Sequence, residues 1–364
     1  MIVSEIEQKL VTETFPCWET ELGEPLTDKL KQVIRLLTVI RIEEHLPEPR
    51  RTGRGRFPHD RRLLARTFVV KAIYNPPTTQ ALLEMLHTQP MLRRICGFES
   101  REKVPSIATF SRVFADFATD NIGETVHLAL IASCIGDRLV GHIGRDSTEI
   151  IAREKPTKKA TREPKPKRKR GRPRREEIVL PPEPSRLQKQ REQTIEEAFK
   201  ELPTLCDVGC KRDTKGYSHC WVVYKSHIDT ADGGLPINVV TTSASLHDSQ
   251  VAIPMMLQTA ERVTSLYDLM DSAYDATPIR EVSLELGHQP LIDRNRRRAE
   301  AIPFAPAEAE RYKQRSGCER VNSRFKDEFG GRQVRVRGKD KVHLHILFGI
   351  LALFADQLFK IALW

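Results

Sequence analysis

Apolar positions change their spacing near residue 138. Over residues 1–137 they fall as short helical stretches separated by tight turns. Thr79 stands ahead of Ala81, Leu82, Leu83, Met85 and Leu86, after the Pro76-Pro77 break, which predicts a helix start. Met91 to Ile95 reads as a second short helix ending near Gly97. Pro105-Ser106 opens a third stretch through Phe110, Val113, Phe114 and Phe117. Such helices fit a helix-turn-helix-like DNA-binding unit, and equally a small helical domain of any purpose. Six arginines around two glycines, Arg50 to Arg62, read as a solvated or a phosphate-contacting loop.

From about Arg138 strand formers take over. LVGHIGRDSTEI ends its apolar part at Asp146. A basic segment follows, then a polar helix over Ser185 to Leu202. Two strand-like runs, 220–228 and 236–244, flank Asp232-Gly233-Gly234, a hairpin-type turn. A helix near Gln250–Val263, a strand near Tyr267–Met270, a helix near Pro278–Leu286 and a strand near Pro290–Ile292 come next, and two terminal helices close the chain. Hairpin strands followed by alternating helices and strands predict an α/β fold, a mixed sheet with helices on its faces. The expected division is a helical N-terminal DNA-binding domain, 1–137, and an α/β domain, 138–364, carrying a basic linker insertion at about 152–182.

Composition narrows the partners. The 364 residues include 59 Lys+Arg and 49 Asp+Glu, a formal charge of +10. Residues 153–175 alone hold 13 Lys+Arg and 2 Glu, leaving 46 basic and 47 acidic residues elsewhere. The excess belongs to one arm, which points to a polyanion, most simply nucleic acid. Hydrophobic residues at 39% exclude a wholly disordered chain. The first thirty residues mix acids with apolar positions, so no secretory signal is expected, and the longest apolar run, Ile346 to Ala355, is about half of the ~20 residues a membrane span needs. Val342 to Leu363 therefore reads as a buried helix. Seven scattered cysteines suggest no disulfide framework, so a reducing, cytoplasmic setting is expected.

Three carboxylates stand out. Asp146 and Asp271 each close a predicted strand, where α/β sheets present chemistry. Glu319 lies on a helix expected from Pro306 to Phe329. At ~100° per residue, Tyr312, Arg315, Glu319 and Lys326 share one arc of about 60°. Cys318, Val321, Phe325 and Phe329 form a separate apolar face. The bland reading is a surface ion-pair face, with Glu319 bonded to Arg315. Taken with the aspartates, three hard oxygen ligands suit Mg²⁺ or Mn²⁺. Basic and aromatic groups beside them suit a phosphate backbone, and together they describe two-metal phosphodiester chemistry.

These residues resemble a known family. Asp146 in GRDSTEIIAREKP, Asp271 in YDLMDSAYDA and Glu319 in RYKQRSGCERVNSRFKDEFGGR resemble the DDE motif of bacterial insertion-sequence transposases. Tyr312-x2-Arg315-x3-Glu319-x6-Lys326 matches the Y-R-E-K signature of that group at all four positions. KGYSHCWVVYKSHIDTADGGLPI and TTSASLHDSQVAIP resemble the intervening strands. The resemblance implies a ribonuclease-H-like core in which Asp146, Asp271 and Glu319 bind two Mg²⁺ ions (Mn²⁺ being an alternative). It further implies that Tyr312, Arg315 and Lys326 hold the transposon end, and that a homodimer forms when two ends are paired. A bacterial cytoplasmic, nucleoid-associated enzyme follows. Two rival classes are a metal-dependent endonuclease without strand transfer and a non-catalytic DNA-binding regulator.

Other residues compete for these roles. Glu149, Asp268, Asp275 and Asp293 are further acids near the strands, and Asp248 is the foremost candidate for a supporting role, unless it caps the next helix. Cys206, Cys210, His219, Cys220 and His227 match no zinc-finger spacing. Arg170-Gly171-Arg172-Pro173 resembles an AT-hook. Gly permits close approach to a narrow minor groove, Pro keeps the chain extended, and Arg170 and Arg172 favour its potential. The alternative is a linker that attracts phosphates without specificity.

Overall fold

The computed structural model describes residues 3–48, 59–151, 153–157, 183–212, 217–294 and 303–362. The first third is helical: α1 (Val3–Lys9), α2 (Phe15–Leu22), α3 (Asp28–Ile40), α4 (Arg61–Tyr74), α5 (Thr79–Thr88), α6 (Pro90–Ile95), α7 (Ile107–Thr119) and α8 (Ile122–Cys134). Local chemistry sets the starts. The hydroxyls of Thr27 and Thr78 accept from the N–H groups of Leu30 and Ala81, donors that a first helical turn leaves free. The loop expected over Arg50 to Arg62 ends earlier than predicted. Asp60 caps α4, so Arg61 and Arg62 are helical and pair with Asp120 and Asp60; residues 50–58 lie outside the described residues.

Beyond α8 a six-stranded mixed sheet forms from β1 (Val140–Ile151), β2 (Asp207–Arg212), β3 (Ser218–Ala231), β4 (Leu235–Ser243), β5 (Ser265–Met270) and β6 (Gln289–Ile292). Central β1 is antiparallel to β3 and parallel to β5, with β6 parallel to β5 at one edge. β2 and β4 pair with successive lengths of β3. The β3–β4 turn uses Gly233 and Gly234 at φ 72° and 79°, a region open to glycine. The apolar pattern does not foretell β2, which is short and polar and owes its strand form to pairing with β3. That register sets Cys210 opposite Cys220, and the two are joined by a disulfide, against the expectation from cysteine spacing.

The polar stretch 185–202 makes two helices rather than one, α9 (Arg186–Gln190) and α10 (Ile195–Lys200), because Thr194 and Glu197 form a capping box that restarts the chain. Next come α11 (Ser249–Ala260) and α12 (Thr277–Glu285), which cover one face of the sheet. The helix expected over Pro306–Phe329 is also divided, into α13 (Pro306–Lys313) and α14 (Ser316–Glu328). Between them the N–H groups of Gln314, Arg315, Gly317 and Cys318 bond carbonyls three residues back, a tightened turn. Cys318, Val321, Phe325 and Phe329 are buried, as the apolar face predicts. The last helix, α15 (Lys339–Ala362), is long and apolar enough to cross a bilayer, yet 78% of its most apolar stretch is buried within the protein. It packs on β4 and against α3, α4, α7 and α8, so one apolar core joins the helical third to the sheet. A mixed sheet between helices is compatible with a ribonuclease-H-like core.

Candidate active site

Asp146 stands at a step in the sheet. It does not close β1, which runs on to Ile151 because β3 keeps pairing with it. Parallel pairing with β5, however, stops at Gly144 and Leu269. Asp271 follows the last residue of β5, and its carboxylate accepts from the Ala273 N–H at 2.9 Å, turning the chain away from the sheet. Both acids thus lie just past the end of the parallel β1–β5 pairing, where the crevice of an α/β sheet opens.

Successive strand residues face opposite sides. Gly144 and Asp146 face α14, and a Cβ on Gly144 would lie 2.2 Å from Cys318 Sγ, so the glycine lets the helix approach. There Asn322 Nδ2 donates to Asp146 Oδ2 at 2.9 Å. Asn322 Oδ1 is buried and without a partner among the described residues. Burial pushes the Asp146 carboxyl up to about 6, and the charge of Asp271 adds to the effect. On the other face Arg145, 1% exposed, donates to Asp229 at 2.6 Å, and Thr259 donates to the same oxygen at 2.5 Å.

The four residues expected on one helical arc divide in what they touch. Tyr312 Oη donates to the Met270 carbonyl at 3.1 Å, next to Asp271. Burial raises this hydroxyl to about 12, so it stays protonated. Arg315 lies within electrostatic reach of Asp146 and Asp271 but donates to Glu319 at 2.8 Å. Glu319 is 59% exposed, in the ion pair that the bland reading anticipates. Lys326 meets Glu149 at 3.3 Å. Among the described residues no three His, Cys, Asp or Glu side chains form a group that could hold a metal ion.

Asp248 occupies the N-cap position of α11 without capping it. Its carboxylate meets Lys225 at 2.8 Å and lies 3.9 Å from His227 Nδ1. Burial opposes its ionisation, but His227 and Lys225 outweigh that and hold its pKa below the usual range. Asp248 also sits within electrostatic reach of Asp146. Asp268 is bonded to Ser283 and His288, and Asp275 to Arg280. Arg170 and Arg172 lie outside the described residues. Beside the acids, His247, Ser249, Ser272 and Asp275 line a cleft of about 170 Å³.

Two groups here escape sequence reasoning. The Tyr274 hydroxyl is fully buried, near Asp248 and Asp146, with no partner among the described residues. Asn322 follows Glu319 by three residues, about 60° away at the border between polar and apolar faces. That border position is its only signal in the sequence. The donor set suits a hard divalent cation in part. Asp146 and Asp271 carry like charges that a cation would offset, and Asn322 Oδ1 is a buried oxygen lacking a partner among the described residues. Glu319 is held apart from them in its ion pair with Arg315.

The family model described as transposase DDE domain matches residues 146–355, and that described as transposase domain (DUF772) matches residues 21–116. No curated protein and no solved structure matches the chain.

Proposed function

The chain belongs to the transposase DDE domain family, and on that premise we propose that it binds insertion-sequence ends, cleaves them and joins the 3′-ends to target DNA. Asp146, Asp271 and Glu319 are the metal-holding acids in this reading. The observation that carries it is the Asp146–Asp271 pair where the parallel pairing of β1 and β5 ends, with burial and the charge of Asp271 pushing Asp146 up to about 6 against the pull of Arg315. Enzymes of this family generally depend on divalent metal, and the all-oxygen donors favour Mg²⁺ over softer ions. When bound, two such ions would activate the attacking water or 3′-hydroxyl and stabilise the leaving oxygen.

The protein's own groups have distinct tasks. Asn322 orients Asp146 through its amide donor. Tyr312 braces the backbone at Met270, so the loop bearing Asp271 is held as DNA enters. Arg315 and Lys326 are paired with carboxylates in the free protein. Phosphates of the element end compete for both cations, and release of Arg315 frees Glu319 to join the aspartates. Asp248, kept ionised by Lys225, supports the acid cluster from behind. The ribonuclease-H-like core needs no side-chain nucleophile, since water and then a DNA 3′-hydroxyl attack. Arg170 and Arg172 extend DNA contact through the basic arm, and two copies of the chain pair two ends in a bacterial cytoplasm.

The test uses linear DNA carrying the segments that flank the coding region. Asp146→Asn, Asp271→Asn and Glu319→Gln are expected to abolish cleavage in Mg²⁺ while sparing end binding. Cutting that survives any of them overturns the triad. Joined products from a 3′-hydroxyl donor end are expected, and hydrolysis alone would identify a plain nuclease.

A further inference from the structure

The loop between α14 and α15, together with the first residues of α15, forms a basic strap. Its sequence, GRQVRVRGKDK over 331–341, carries Arg332, Arg335, Arg337, Lys339 and Lys341 against Asp340 alone. Val334 is 3% exposed and Val336 packs on the core, whereas Arg335 and Arg337 are exposed. This alternation is that of an extended chain, which spaces its outward side chains by about 6.6 Å. Arg335 has no acidic partner among the described residues.

The strap is fixed beside the end of β1. Gly331 N–H donates to the Phe325 carbonyl, anchoring one end next to Lys326. At the other end Arg337 Nε donates to the Arg153 carbonyl and Gly338 N–H to Glu154, each at 3.0 Å. Tyr224 holds the same Glu154 oxygen at 3.0 Å. Two segments remote in sequence are thereby clamped together, and Arg153 and Lys155, both exposed, join the arginines of the strap. The apolar residues face the core and the cations face solvent, with few acids among them.

We propose that this strap is a phosphate rail, on which Arg335 and Arg337, flanked by Arg153 and Lys155, grip the backbone of duplex DNA leading from Lys326 out of the active site. The inference rests on the transposase reading but concerns binding, not chemistry. Its outward spacing of about 6.6 Å spans roughly two 3.4 Å steps of a DNA strand, so side chains of arginine length can reach separate phosphates.

The full-length chain is titrated against a fluorescein-labelled duplex of mixed sequence, in EDTA, from 50 to 200 mM NaCl. Each lost phosphate contact lowers the log–log salt slope by ~0.9. Arg335→Ala, which breaks no bond seen here, is expected to lower it by ~0.9, and Arg335→Ala/Arg337→Ala by ~1.8. Over that salt range the native chain then loses about twelvefold more affinity than the double variant. Arg335→Lys/Arg337→Lys is expected to keep the native slope, since point charges suffice. An unchanged slope in the alanine variants overturns the rail, as does a uniform affinity loss with unchanged slope. Native protein that fails to bind the duplex overturns it too. Because metal and cleavage are absent, failure of the catalytic triad shows separately, in the cleavage assay.

Discussion

Arg145 and Asp146 are neighbours in sequence and opposites in surroundings. Arg145 points to the side covered by α11, where it donates to Asp229 and to Met270 Sδ, and Thr259 donates to the same Asp229 oxygen. Asp146 points towards α14 and meets an amide from Asn322, while the charge acting on it most, Asp271, has the same sign and only Arg315 opposes it. One face pairs opposite charges in a buried contact. The other brings like charges together, and Asn322 Oδ1 is unpartnered there among the described residues, as Arg145 Nε and Asp229 Oδ1 are on the first face. A strand can therefore be anchored through one side chain while the next is held in a condition that only a ligand relieves. Stability and chemistry are separated by a single peptide bond.

Substitution on each side tests that separation, and the largest effects are expected here. Asp146→Asn should remove cleavage altogether yet leave the urea midpoint in EDTA unchanged or higher, because it deletes a charge that burial disfavours. Arg145→Met should cost about 3–5 kcal/mol of stability, since it strands Asp229 without its partner. Circular dichroism during urea titration reads the second effect and product gels the first. Equal destabilisation by both variants would abolish the distinction between the faces.

Protons sharpen the contrast next. His127 and His345, in the packed region, are pushed down to about 4 by burial. Unfolded histidine titrates near 6.5, so between about 4 and 6.5 the unfolded chain binds more protons and stability rises with pH. Their contribution is complete above about 6.5 and is lost as the solution is acidified towards 4. Each such shift corresponds to at most about 3–4 kcal/mol. His345→Gln should therefore flatten the dependence of the urea midpoint on pH over that window. A curve parallel to the native one would assign the acid response to other groups.

The two faces were not equally legible in the sequence. The apolar spacing gives the helices of the first third, the β3–β4 hairpin and the strands bearing both aspartates, because each is dictated by local burial and turn chemistry. The Y-R-E-K spacing leads to the helical region that packs beside Asp146. What the pattern misses is set by partners distant in sequence. β2 exists through its pairing with β3, the break at Gln314–Arg315 depends on tightened backbone bonds, and Asn322 matters only because Gly144 admits α14. Arg145 reads as one more charge near an acid. Nothing local announces that Asp229, 84 residues on, will bury it.

Gly144 links fold to site, and its replacement should have a moderate effect. The Cβ of Gly144→Ala would meet Cys318 Sγ at 2.2 Å, so α14 must shift, at about 1–3 kcal/mol for overpacking. Cleavage should fall as well, because the same helix carries Asn322. Adding Cys318→Ala removes the obstructing sulfur, and the pair should recover most of both losses in a double-mutant cycle. Additive losses would mean that the glycine serves some other contact.

The smallest expected effect probes the open face directly. Asn322→Ala deletes the donor to Asp146 Oδ2 and the unpartnered oxygen together. Residues that orient metal-holding groups typically change metal affinity or activity by about 10–100-fold when removed. The Mg²⁺ concentration for half-maximal cleavage should rise accordingly, and Mn²⁺ binding followed by electron paramagnetic resonance should weaken in step without any substrate present. Urea midpoints in EDTA should move little, since the lost bond is one of few on this side. Asn322→Asp sets the sign of the interaction. It places a third carboxylate beside Asp146, so the metal-free protein should be less stable than the alanine variant, with added Mn²⁺ restoring more stability to it than to the native chain. If Asn322→Ala binds Mn²⁺ as the native protein does, the amide is a packing group, and Asp146 is oriented by the sheet alone.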